Sequence, residues 1–267
     1  MSNLKNKVAV VFAASGAIAG AVAKSFAEYG AKVYVSGRDF ETVKALADSI
    51  KKTGGKAEAA QVDAMNEAEI DQYLNKIVAK NGKLDIVFNG IGVRPSQSDY
   101  GTYSTQISFE QFMKPIQTHV GSQFLTSRIA ARYMMQTQSH GTILMLTASL
   151  SRLKLPFMAG VTAACTGIEG LTRVFAAEFG QAGIKVICLN PTSLNETRTI
   201  QETNAASAKS MGIQAEALQQ MLGSQYLLKK SPTLHDVGET AAFLASDAGA
   251  VFNSHIMDVD FGSMSVI

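Results

Sequence analysis

Seven short apolar runs alternate along this chain with stretches in which apolar residues return every three to four positions, and few folds accommodate that rhythm. The runs at residues 8–12, 32–36, 57–62, 85–88, 142–146, 185–189 and 256–258 read as strands. The stretches at 18–29, 41–52, 67–80, 110–136, 158–180 and 235–246 read as helices. In the first run, Val8-Ala9-Val10-Val11-Phe12, no residue is polar, as expected of a strand covered on both faces. Strands joined through helices run parallel, because the crossover is right-handed and too long for a hairpin. The fold class is therefore α/β, a doubly wound parallel sheet flanked by helices, with any ligand beyond the carboxyl ends of the strands where strand order reverses.

The 267 residues suit one domain spanning 1–267, with no linker, internal repeat or low-complexity stretch. A net charge of +2 with scattered Lys and Arg gives no stripe for nucleic acid or an anionic membrane, so neither is an expected partner. The apolar run 8–23 follows Lys5 and Lys7 as a secretory signal would, yet it is rich in Ala and Gly and continues into a patterned fold, so a buried strand and helix are expected. Cys165 and Cys188, far apart and without metal-ligand spacing, suit a reducing compartment, and the cytoplasm is the expected location. Residues 197–225 contain no strand and are rich in Ala, Ser, Thr, Gln and Met. They form either a lid over the cleft or a surface excursion.

Spaced motifs narrow the class. Leu84-Asp85-Ile86-Val87-Phe88-Asn89-Gly90-Ile91-Gly92 resembles the strand of the short-chain dehydrogenases/reductases that ends in Asn-Asn-Ala-Gly, keeping the first Asn and the last Gly. Asp63 matches the acid that in that family bonds the adenine amino group, and Phe243-Leu244-Ala245-Ser246-Asp247 is similar to the family's last helix ending. The resemblance covers residues 7–262. It implies a single-domain Rossmann-like fold, a small-molecule substrate, NAD(P)-linked reduction of a carbonyl or enoyl group, and a homo-oligomer, commonly a tetramer built on helices 110–136 and 158–180.

Where the family carries Thr-Gly-x-x-x-Gly-x-Gly, this chain has Phe12-Ala13-Ala14-Ser15-Gly16-Ala17-Ile18-Ala19, with alanine at all three glycine positions. Those glycines allow a tight turn, close approach of a pyrophosphate, and close helix packing. The enoyl-acyl-carrier-protein reductase branch resembles this stretch in using a small non-glycine residue followed by Ile-Ala. Ser15 and Gly16 can reshape the loop, and a helix opening near Ile18 still presents free N–H groups to an anion. Dinucleotide binding is thus either retained or closed off. If it is retained, Ser36-Gly37-Arg38 favours NADP, because Gly37 replaces the acid that holds ribose hydroxyls and Arg38 can pair with a 2′-phosphate. Otherwise Arg38 is a solvated charge ahead of the next helix.

The catalytic positions depart further, and they mark the chain as a divergent member with a degenerate site. Aligned on the family's Ser, Tyr, Lys and Asn, the chain has Ala148, Val161, Cys165 and His119. No Tyr lies between Met134 and Glu178, and the only Lys there is Lys154, so a shift of register restores neither. Weak substitutes are Ser149 beside the serine position, His119 as a proton carrier, and Cys165 as a nucleophile. Equally, Val161 and Cys165 fill a helix face and His119 bonds a backbone carbonyl. Pro191-Thr192 and Asp260-Phe261-Gly262 replace the family's Pro-Gly and Asp-Gly-Gly, while Tyr100 and Tyr103 follow the fourth strand with no motif to give them a role. Three readings stand: an NADP-linked oxidoreductase with proton transfer reassigned to Ser149, His119 or solvent; a catalytically inactive member that binds a metabolite or a partner subunit; and a lyase-like use of His119 with Cys165.

Overall fold

The computed structural model describes residues 2–224 and 226–263. Its centre is a seven-stranded sheet, all parallel, of β1 (Val8–Phe12), β2 (Lys32–Gly37), β3 (Lys56–Gln61), β4 (Ile86–Asn89), β5 (Thr142–Leu146), β6 (Lys185–Pro191) and β7 (Ile256–Val259). The strand order is β3-β2-β1-β4-β5-β6-β7, so the chain winds outward from β1 and then crosses back to β4. Strand order therefore reverses between β1 and β4, and a crevice opens there at the carboxyl ends.

The uniformly apolar sequence of β1 is explained by its position. Ala9 and Val11 pack on one side with α1 (Ala17–Glu28), α2 (Phe40–Lys52) and the late helix at Leu234–Ala245. Val8, Val10 and Phe12 pack on the other with α3 (Glu67–Asn81) and the two long helices. Fully burying each such side chain contributes roughly 1.5–3 kcal/mol, which makes both faces of the sheet self-supporting layers. At the β3 edge Glu58 pairs with Lys32 and Lys80, charges that discourage edge-to-edge pairing.

Local signals set the helix ends. Asp39 caps α2 by accepting from the Thr42 amide, and Asn66 caps α3 through Ala68 and Glu69. A reciprocal Ser108/Gln111 box opens α4 (Phe109–Pro115). The sequence suggests one helix over 110–136, whereas the structure has α4, a single wide turn at Ile116–Val120, and α5 (Gly121–Gln136). Pro115 has no N–H to donate and its ring crowds the preceding turn, so the ladder reopens with wider spacing just after it. That turn carries His119.

Next come α6 (Ala159–Phe179), α7 (Arg198–Met211), α8 (Ala215–Gly223) and α9 (Leu234–Ala245). As the composition of 197–225 suggests, the described residues between β6 and α9 hold two helices and no strand, with only an isolated bridge from Tyr226 to Ser263. Gln225, the last residue of that stretch, lies outside the described residues. Among the described residues no helix is long and apolar enough to cross a membrane.

Candidate active site

A cleft of about 760 Å³ lies over the carboxyl ends of the strands, walled on its far side by α7 and α8. At one end is the turn from β1 into α1. Ala13 adopts φ +54°, the left-handed conformation for which the family's first glycine is suited, and its carbonyl accepts from the Gly16 amide at 2.9 Å. The alanine therefore keeps the tight turn, at a cost of roughly 1–2 kcal/mol. Gly16 is the N-cap of α1 and offers no side chain, so the first-turn amides of Ala17, Ile18 and Ala19 stay free at the cleft. Exposed Ser15 completes this rim.

The methyl at the third glycine position is accommodated by a transposition. A Cβ built on Gly90 would lie 2.6 Å from the Ala19 Cβ. The chain thus places a Cβ on α1 and none just after β4, where the family motifs have glycine on the helix and an asparagine after the strand. Close approach of helix and strand survives the exchange.

Gly37 ends β2 against this turn, and a side chain there would begin 3.0 Å from Val43 Cγ1 and 3.5 Å from Ser15 Oγ. An acid at that position is sterically disfavoured. Arg38 follows, exposed on the cleft rim and without an ion pair among the described residues. The neighbouring Asp39 is committed to capping: its bonds from the Thr42 hydroxyl and amide hold its carboxyl below the usual carboxylate range. Asp63 lines the cleft and accepts from the Met65 amide at 2.9 Å through one oxygen.

Asn89 does not share this placement. It is 1% exposed, donates to Thr126 Oγ1 and accepts from the Ile91 amide, both at 2.8 Å. Its amide is thus fully engaged in fixing the loop after β4 and sits behind the cleft wall. In this structure its bonds position that loop.

The other end of the cleft is apolar. Val161 and Cys165 on α6 pack with Met158, Ala148, Leu150 and Tyr100. Cys165 is 2% exposed, and burial pushes its thiol above the usual range, which disfavours the thiolate a nucleophile needs. His119 accepts at Nε2 from the Val93 amide at 2.8 Å, and burial pulls its pKa down to about 4. It is therefore a neutral clamp on the loop after β4, bonded to an amide rather than to the expected carbonyl. It cannot deliver a proton near neutral pH as an imidazolium.

Ser149 is 3% exposed and keeps a polar network. Its Oγ lies 2.5 Å from Thr192 Oγ1 and donates to Asn190 Oδ1 at 3.3 Å. Asn190 donates in turn to Asp258, which is held by both terminal nitrogens of Arg152. Thr192, the threonine that replaces glycine in the family's Pro-Gly, thus supplies a second hydroxyl to the cleft.

Tyr100 is the residue for which the sequence offered no signal. It lies on the loop after β4, lines the cleft, and packs on the Val161/Cys165 cluster. Its hydroxyl has no hydrogen-bond partner among the described residues. Burial, and secondarily Cys165 and Asp99, push the phenol above its usual range.

Comparison with known proteins places this geometry. The family profile described as Enoyl-(Acyl carrier protein) reductase matches residues 12–264. A 3-oxoacyl-[acyl-carrier-protein] reductase of Chlamydia muridarum is 27% identical over 98% of this chain and 98% of its own length. A 3alpha-hydroxysteroid dehydrogenase of Mediterraneibacter gnavus is 28% identical over 98% of each chain. In fold, an NAD+-bound xylitol dehydrogenase superposes with a TM-score of 0.88 at 21% identity, over 97% of this chain and 99% of that one. Alignments this complete do not bear out the expectation of a member set apart from its relatives. Sheet order, cleft and sequence agree that the chain belongs to the short-chain dehydrogenase/reductase family of oxidoreductases.

Proposed function

We propose that this chain is an NADP(H)-linked reductase acting on a carbonyl or enoyl group in a largely apolar small molecule. The observation that carries the reading is the pairing of an uncapped α1 N-terminus with an unpaired Arg38 on the same cleft. The residues fit a dinucleotide. First-turn amides of α1 would hold its diphosphate, Arg38 a 2′-phosphate and Asp63 the adenine amino group. When bound in reduced form, such a cofactor supplies a hydride. The chain's own contribution at the other end is orientation: the Ser149 and Thr192 hydroxyls hold the substrate oxygen, and the apolar cluster excludes water. α7 and α8, lining one wall, are proposed to act as the lid.

A second reading, a catalytically inactive member that binds a ligand or a partner subunit, is favoured by one observation. The positions where the family keeps Ser, Tyr and Lys carry no titratable group other than a buried thiol. A lyase-like use of His119 with Cys165 has no support, since one is a neutral acceptor and the other an un-ionised thiol. The homo-oligomer, a tetramer by resemblance, is supported by exposed Phe124 on α5 and Val174 on α6, and light scattering tests it.

Calorimetric titration with NADPH and NADH tests the main reading. The expected result is NADPH binding at about micromolar Kd with weaker NADH binding. Failure of either nucleotide to bind at millimolar concentration overturns it.

A further inference from the structure

We propose that Tyr100 is the proton donor of this site, a catalytic phenol delivered by the loop after β4 instead of by α6, for a ketone substrate; the inference rests on the reductase reading above. Four observations meet at this side chain. It packs on Val161 and Cys165, which stand where the family keeps its Tyr and Lys. It lines the cleft together with Ser149. Its hydroxyl is unpartnered, which a half-buried phenol tolerates when a ligand is to supply the acceptor.

The fourth observation is that the loop is tied down on both sides of the residue. Asp99, 1% exposed, accepts from the Gly160 amide in the first turn of α6 at 2.7 Å. Gly101 donates to the Phe157 carbonyl at 3.0 Å, and its own carbonyl accepts from Ser210 on α7 at 2.6 Å. Tyr103 then stacks edge-on against Phe157, with ring centres 4.7 Å apart. A loop held at Asp99, Gly101 and Tyr103 fixes the position of the side chain between them.

The step balances. The substrate C=O accepts a hydrogen bond from the Tyr100 hydroxyl. As the carbonyl carbon gains a hydride from reduced nicotinamide, the π pair moves to oxygen, which takes the phenolic proton. Once the alcohol product leaves and the cleft reopens, bulk solvent returns a proton to the phenolate. A phenol held above its ordinary pKa is a weak acid but still a far stronger one than the alcohol it creates, so the proton moves downhill. In the oxidative direction the same phenol is a poor base below strongly alkaline pH.

The test uses Tyr100→Phe with Tyr103→Phe as the neighbouring control. Because the hydroxyl has no hydrogen-bond partner among the described residues, its removal should leave the fold and NADP+ affinity unchanged, and calorimetry checks both. The first readout needs no turnover: infrared spectra of carbonyl-13C 2-decalone in the complex with oxidised NADP+. The carbonyl stretch should lie at lower frequency in the wild type and in Tyr103→Phe than in Tyr100→Phe. In a second measurement on wild-type protein carrying tyrosine labelled with 13C at Cζ, adding 2-decalone should shift the resonance that Tyr100→Phe lacks. With NADPH, Tyr100→Phe should reduce ketones about 10²–10⁴-fold more slowly.

An unchanged carbonyl stretch or unchanged ketone turnover in Tyr100→Phe, with NADPH binding intact, overturns the role of Tyr100 and leaves the cofactor reading standing. A wild type that binds NADPH yet neither perturbs nor reduces 2-decalone overturns it as well. Absence of NADPH binding overturns both.

Discussion

The transposed methyl between α1 and β4 makes a quantitative prediction through a double-mutant cycle. A Cβ added at Gly90 would meet Ala19 Cβ at 2.6 Å, Phe88 Cε1 at 3.2 Å and Ala19 Cα at 3.5 Å. The first contact is far inside van der Waals distance, so Gly90→Ala should cost about 1–3 kcal/mol by overpacking. Ala19→Gly deletes a buried methyl worth about 0.8 kcal/mol and adds backbone freedom worth up to about 1 kcal/mol, for a loss of roughly 1–2 kcal/mol. Independent sites would sum to roughly 2–5 kcal/mol. If the two positions share one methyl-sized space, the double variant removes the main clash it creates and should lose only about 1–2 kcal/mol, a coupling of at least about 1 kcal/mol. The measurement is urea unfolding of the four proteins at one fixed protein concentration, since association would shift apparent stability. Additivity within about 0.5 kcal/mol would refute the argument that helix and strand exchange a methyl across this contact.

The remaining predictions concern single side chains. Arg38→Ala should weaken NADPH binding by about 1.5–3 kcal/mol, roughly ten- to a hundredfold, and leave NADH binding unchanged by calorimetry. Equal loss for both nucleotides would show Arg38 to be only a rim charge. Cys165 and Cys188, both buried with thiols pushed upward, should resist alkylation in the native protein and react on unfolding. Rapid native labelling would contradict the burial of the α6 cluster. His119 has a folded pKa of about 4 against an unfolded value near 6.5, so the unfolded chain binds a proton first as pH falls. Its effect is absent above about pH 6.5, grows as pH drops toward 4, and reaches about 3 kcal/mol of lost stability below that. His119→Gln should flatten the pH dependence of urea midpoints across this window; an unchanged slope would mean the imidazole is protonated in the folded state.

Legibility from sequence followed the range of the interactions involved. β1, α1 and β5 were readable because their signals are local: a run buried on both faces, an amphipathic stripe, a turn. The interruption at Ile116–Val120 carried a local sign too, Pro115, but one easily overruled by the periodicity on either side of it. Placing Ala13 at the turn was readable from alignment with the family motif, yet its positive φ could only be posed as a condition. What no local pattern announced was contact between distant segments. His119 reaches across to the Val93 amide, Asp99 to Gly160, and Tyr100 to Cys165, each pair separated by tens of residues. Asn89 joins both ranges: its motif is local, but the Thr126 hydroxyl its side chain bonds belongs to α5.

The two ends of the cleft depart from the family pattern in physically different ways, and that difference bears on what the site can do. At the α1 end the changes leave the anion-binding groups in place. Ala13 adopts the conformation a glycine would, Gly90 yields the space that Ala19 takes, and the free amides and the Arg38 cation remain. Recognition of an anion requires only those amides and that charge, so it survives substitutions that merely move a methyl. At the α6 end the cleft meets an aliphatic side chain and a buried thiol whose pKa is pushed upward, and no rearrangement of Val161 or Cys165 yields an acid. In the proposed reduction, the proton comes from another element. Ser149 and Thr192 bond one another and His119 is an acceptor, whereas the phenol of Tyr100 has no hydrogen-bond partner among the described residues. Without a lysine-like cation beside it, that phenol stays protonated through the neutral range, so the geometry suits reduction and penalises oxidation. Alcohol oxidation should accordingly rise steadily with pH through the alkaline range without a plateau near neutrality; a plateau between pH 7 and 8 would mean that a different, more acidic group carries the proton.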